Sequence, residues 1–159
     1  MTQTLEPERV TTIDDSLELE WYAGDTIVAY VLSDMSLEVL QGWSDTTLSI
    51  LDEWPSDRPY LALYDLSRSG IILGFYSLAR NRMCSLGITD AGEAQALERI
   101  AQRQNPNARV ALYISMSYSG HLGGFLAEAD ARKTQSSQIE YEAFYSREAA
   151  LKWLNAAQT

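Results

Sequence analysis

The 159-residue sequence predicts one α/β domain: a mixed, mostly parallel five-stranded sheet that opens with a β-hairpin and carries four to five helices. Three observations predict it. Apolar runs of strand length alternate with segments of helical spacing. The middle runs (26–32, 60–66 and 108–115) are apolar on both faces, as parallel strands covered by helices are. The first and last runs alternate apolar with acidic side chains, as edges that meet water do.

Taken in order, residues 1–15 are polar, contain Pro7 and read as a loose tail. Leu17, Leu19 and Trp21 alternate with Glu18, Glu20 and Tyr22, the period of a half-exposed strand. Ala23-Gly24-Asp25 supplies a turn, and 26–32 returns as an inward strand of the hairpin. Ser36 is a candidate N-cap for a helix with Leu37, Leu40, Leu48, Leu51 and Trp54 on one face, weakened at Gly42 and ended by Pro55. After the central strand 60–66, Ile72, Phe75, Ala79, Met83 and Leu86 recur at helical spacing up to Gly87. Asp90 and Glu93 make an acidic capping box for a helix facing inward through Ala94, Leu97 and Ile100. Strand 108–115 leads into a loop of hydroxyls and glycines, then a helix through Leu122, Phe125 and Ala129. Strand 139–145 has one wet face. Ser146 caps a last helix that turns Ala150, Leu151 and Leu154 inward with Trp153 flanking.

Charge and composition narrow the function classes. The net charge of −10 argues against nucleic acid, whose phosphates need clustered Lys and Arg. The imbalance is local: residues 1–65 carry −12 and residues 66–159 carry +2. Cys84, the only cysteine, cannot form an intrachain disulfide, which fits a reducing compartment. The N-terminus has no apolar stretch of a secretory signal, and apolar runs such as 71–73 are too short to cross a bilayer. A cytoplasmic location without membrane insertion is expected.

The candidate site is the polar end of the central strand, where open α/β sheets most often meet ligands or partners. Asp65, Ser67 and Ser69 lie there, and the neighbouring loop would add Ser117 and Ser119. Arg80 and Arg82 on the following helix could hold an anion, which gives the alternative reading of a lipid-, nucleotide- or anion-binding crevice. The loop 115–124 lacks the spacing and lysine of a phosphate-binding loop. His121, the only histidine, stands two residues from Ser119, on a different side of a helix. One histidine and one distant cysteine leave no metal set, and Cys84 falls between apolar residues as a packed thiol. No catalytic constellation and no cofactor are expected. Nine tyrosines and four tryptophans supply material for a protein interface. A half-exposed edge carrying Trp21 leaves room for a homodimer, with Glu18, Glu20, Glu140 and Glu142 as guards against it.

Two stretches resemble the STAS domain, the family of the sporulation anti-sigma-factor antagonists and their stand-alone relatives. Leu61-Ala62-Leu63-Tyr64-Asp65-Leu66-Ser67 looks like the family's central strand ending in Asp-Leu-Ser. Phe144-Tyr145-Ser146-Arg147-Glu148-Ala149-Ala150-Leu151-Lys152-Trp153-Leu154 is similar to the closing F-x-S-x-E-E-A-x-x-W-L of the antagonist-like subgroup, and Arg109-Val110-Ala111 also fits. The resemblance implies a non-enzymatic regulatory module that works through protein contacts; in the phosphoregulated members of the family, phosphorylation of a serine after the central strand switches partner binding off. Ser69-Gly70 keeps that Ser-Gly pair, with Arg68 in place of the preceding serine. A phosphate on Ser69 would sit at the positive end of the next helix.

Overall fold

Six strands, not five, build the sheet, and they lie side by side in the order in which the chain makes them. The computed structural model describes residues 6–34, 36–68, 71, 90–115 and 139–158. The strands are β1 (Arg9–Asp14), β2 (Leu17–Tyr22), β3 (Ile27–Leu32), β4 (Tyr60–Asp65), β5 (Ala108–Tyr113) and β6 (Ile139–Phe144). The pairs β1–β2 and β2–β3 are antiparallel; β3, β4, β5 and β6 run parallel. Three helices lie among the described residues: α1 (Leu37–Glu53), α2 (Asp90–Ala101) and α3 (Arg147–Ala156). The expected helices over 71–86 and 122–133 fall outside them, except for Ile71.

The added strand is β1, within the segment expected to be a loose tail. Its sequence, RVTTID, is rich in β-branched residues, which favour extended backbone. It escapes a search for hydrophobic alternation because five of its six residues are exposed and neither face is buried. With β1 in place, β2 is an interior strand rather than the edge. Leu17 and Leu19 are buried, and Trp21 stacks on Trp54 at 6.2 Å. The turn between β2 and β3 holds Ala23, Gly24 and Asp25 at φ 53, 66 and 59°, a conformation that costs the two non-glycine residues energy. Neighbouring contacts stabilise it: Gly24 N–H donates to Glu8 Oε2 at 2.9 Å, and Arg9 pairs with Asp25 at 3.2 Å.

The strand order fixes where the helices go. The steps from β3 to β4 and from β4 to β5 run the same way, and right-handed crossovers that do so share one face of the sheet. Accordingly α1 and α2 pack together over Val28, Tyr30, Ala62, Tyr64, Val110 and Leu112. Ser36 caps α1, its Oγ accepting from Val39 N–H at 3.2 Å. The helix runs unbroken through Gly42. Leu37, expected to face inward, is 70% exposed; the buried stripe is instead Val39, Leu40, Trp43, Thr47, Ile50 and Leu51. Trp43 meets Tyr64 edge-on with ring centroids 4.7 Å apart. In α2, Ala96 and Ile100 are buried while Ala94 and Leu97 are exposed, a rotation from the expected face. Arg103 closes this layer, its guanidinium donating to the carbonyls of Pro55 at 2.6 Å and Arg58 at 2.5 Å.

The opposite face is covered by α3. Ala150, Leu151 and Leu154 bury against Ile27, Ala29, Leu61, Leu63 and Ala111, as the sequence predicts. No helix among the described residues is long and apolar enough to cross a membrane.

The core under α1 contains two facing hydroxyls, Tyr30 and Tyr60, 2.8 Å apart and fully buried. Burial pushes the Tyr30 hydroxyl up to about 12, against hydrogen bonds from Tyr60 and Thr47 that lower it, and pushes Tyr60 well above its ordinary 10. In the fold both keep a proton that the unfolded chain releases near pH 10. Their contribution is therefore complete below pH 10; that of Tyr30 is lost as pH rises through about 12, and that of Tyr60 is lost in the same direction. Urea unfolding between pH 8 and 12 should show stability level to pH 10, then falling by about 1.4 kcal/mol per pH unit for each tyrosine. Tyr30→Phe should flatten that fall, and at neutral pH should cost about 1–2 kcal/mol by leaving Tyr60 without its partner.

Candidate functional site

Strand alternation decides which side chains meet at the carboxyl end of β4. Glu20 pairs with Ala29, Ala29 with Leu63, and Val31 with Asp65, so Glu20, Tyr22 and Asp65 all stand on the face that α3 covers. Helix α3 begins at that rim. Ser146 caps it, accepting from Ala149 N–H at 3.3 Å, and Arg147 projects from its first residue.

Arg147 is the hub. Its Nη1 lies 3.3 Å from Asp65 Oδ2, and its Nη2 donates to both Glu20 Oε2 and the Tyr22 hydroxyl. The Tyr22 hydroxyl donates in turn to Glu20 Oε2 at 2.5 Å. The other oxygen of Asp65 accepts from the Ser67 amide at 3.1 Å and from Ser67 Oγ at 2.5 Å. The Asp65 side chain is 7% exposed, Glu20 15% and Arg147 30%, so charges are matched where water is partly excluded. Burial first, then the hydrogen bond to Glu20, pushes the Tyr22 hydroxyl up; it donates as a neutral phenol.

Two of the sequence-predicted site residues, Asp65 and Ser67, are thus brought together at the expected place. Ser69, Arg80, Arg82, Ser117 and Ser119 lie outside the described residues, as do Cys84 and His121. Glu20, Tyr22 and Arg147 were not anticipated. Glu20 read as a guard on a wet edge; its register with Ala29 places it on the face that α3 covers, where Arg147 meets it. Arg147 carried a usable signal: a cation in the first turn of a helix opposes the dipole, so it needs an acid from elsewhere.

Chemically, this cluster is a tether. Both oxygens of Asp65 have donors from the protein, and the guanidinium joins β2, β4 and α3. At the other end of α3, Arg109 of β5 donates to the Trp153 carbonyl at 2.9 Å, lies 4.9 Å from the Trp153 ring and pairs with Glu140 at 3.2 Å. Beside it opens a cleft of about 310 Å³ lined by Asn105, Asn107, Arg109 and Glu140, at the amino ends of the strands. Among the described residues no group of three His, Cys, Asp or Glu side chains is arranged to hold a metal ion.

Arg147→Ala should strand one buried and one largely buried carboxylate and lower unfolding free energy by about 2–3 kcal/mol, a solvent-discounted share of what breaking a buried pair costs. Adding Glu20→Gln should recover roughly half of that, because one stranded charge is gone. A loss under about 0.5 kcal/mol in denaturant unfolding would mean that the tether is decorative. Comparison with protein-family models, with curated proteins and with solved structures finds no match to this chain.

Proposed function

We propose that this protein is a non-enzymatic regulatory module that binds another protein at the rim where β4 ends, through the surface around Ser67 and Arg68. One observation carries the reading: the Asp65–Arg147 pair, 3.3 Å apart, joins the two stretches that resemble STAS domains. It fixes the end of the central strand to the start of α3, so the chain leaves β4 in a set direction, with Ser67 half-buried and Arg68 exposed. An acid engaged by a guanidinium and by two donors from Ser67 suits presentation of a surface better than proton transfer. The resemblance supplies the kind of role, a protein contact open to control by phosphorylation near Ser69.

The small-molecule alternative drew on a crevice where strand order reverses. The order β1 to β6 has no reversal among the described strands, so no such crevice is opened there by the topology. The module reading predicts a bound protein partner in the native cell that is lost on Arg68→Glu and kept on Asn107→Lys at the far rim. Affinity capture of the three forms with mass spectrometry, including a phosphosite search over residues 67–70, checks it. Identical capture by wild type and Arg68→Glu would overturn it.

A further inference from the structure

Among the described residues the sheet ends at β1 and at β6, and these two edges are built differently. Strand β6 exposes Glu142 and half-exposes Glu140, two like charges on one face of the strand, of the kind that keep edges from pairing. Strand β1 has no charge between its ends. Its interior is Val10, Thr11, Thr12 and Ile13, with Val10 53% and Ile13 42% exposed. A cation, Arg9, begins it and an anion, Asp14, ends it. In a protein of net charge −10, this strand is neutral and its ends are complementary.

A bulge makes that complementarity usable. Arg9 pairs with Trp21, Thr11 with Leu19 and Asp14 with Leu17, so Arg9, Thr11 and Asp14 share one face of the sheet. Without the shift between Thr12 and Asp14, the two charges, five positions apart, would stand on opposite faces. Bulges commonly disfavour edge pairing; this one brings the acid to the side of the base. The Arg9 guanidinium is held on that face, 4.5 Å over the Trp21 ring and 3.2 Å from Asp25, with 51% of its side chain still exposed. Asp14 is anchored through Oδ1, which accepts from Ser16 N–H at 2.7 Å.

We propose that β1 pairs antiparallel with β1 of a second copy, forming a homodimer with a continuous sheet and a two-fold axis at Thr11. Antiparallel pairing about an axis normal to the sheet keeps each residue on its own face. Thr11 then meets Thr11 of the second copy and Val10 meets its Thr12. Arg9 meets its Asp14 across the bulge, and symmetry repeats that ion pair. Directly opposed threonines and opposite charges are favourable cross-strand pairs. This surface is separate from the rim at Ser67 and stands or falls independently of the proposed function.

The test is sedimentation velocity of the full chain over a concentration series, with hydrogen exchange of the β1 amides at the two extremes. The expected result is a reversible dimer with Kd on the order of tens of micromolar, as suits a short contact at the small end of specific interfaces. The β1 amides should gain protection as concentration rises. Arg9→Asp and Asp14→Arg should each weaken association by about tenfold, and the double variant should return it to within about threefold of wild type. Folding of each variant is followed by circular dichroism. Should a single variant fail to fold, Val10→Asp at an exposed position tests the same contact and should weaken dimerisation by at least as much. A wild-type chain that stays monomeric, β1 amides indifferent to concentration, or a double variant no better than the singles would each overturn the proposal.

Discussion

The seating of α3 on its face of the sheet is the constraint on which the remaining features depend. Its ten residues bury only three side chains fully, Ala150, Leu151 and Leu154. At about 25 cal/mol per Å² of apolar area removed from water, so narrow a stripe holds a helix weakly. Position comes from its ends. Arg147 fastens the start to β2 and β4, and Arg109 fastens the last turn through the Trp153 carbonyl. The second contact agrees with the helix dipole, since a cation meets exposed carbonyls. The first opposes it and is stabilised by two carboxylates. A helix fixed at both ends cannot slide by a turn, and the exit of the chain from β4 is fixed with it.

The sequential strand order bears on function as much as on architecture. A sheet that reverses direction opens a gap between diverging connections; a sheet that advances steadily does not. The described carboxyl rim is accordingly filled by side chains bonded to one another. The cleft beside Arg109 and Glu140 lies at the other rim, where strands begin. An acid at the end of a buried strand is often read as a site, and here its immediate work is to hold the fold together.

Hydrophobic period made much of the structure legible. The pairing of β2 with β3, the buried runs of β3, β4 and β5, and the inward face of α3 follow from side chains that must leave water. Where the signal failed, burial was absent or shared. Strand β1 has no buried face, so alternation could not reveal it. In α1 the inward stripe includes Ser44 and Thr47, whose polar side chains hide the true phase, while Leu37 misleads by being apolar and outside. Leu97 misplaced the face of α2 in the same way. The site was half legible: Asp65 and Ser67 are neighbours in the chain, and local chemistry joins them. Glu20 and Arg147 are 127 residues apart, and no local pattern records a pair that only the sheet register creates.

That separation has a consequence for how the molecule is made. A ribosome delivers β2 and β4 long before it delivers Arg147, and until then Glu20 and Asp65 lack their counter-ion while Leu61 and Leu63 lack their cover. The nascent chain must keep an oily sheet face, rimmed by unneutralised acid, from its neighbours in the cell. Mutual repulsion among strongly acidic N-terminal halves is a means of doing so on crowded polysomes. With −12 in the first 65 residues and +2 in the rest, that repulsion per chain is strongest before the chain is complete.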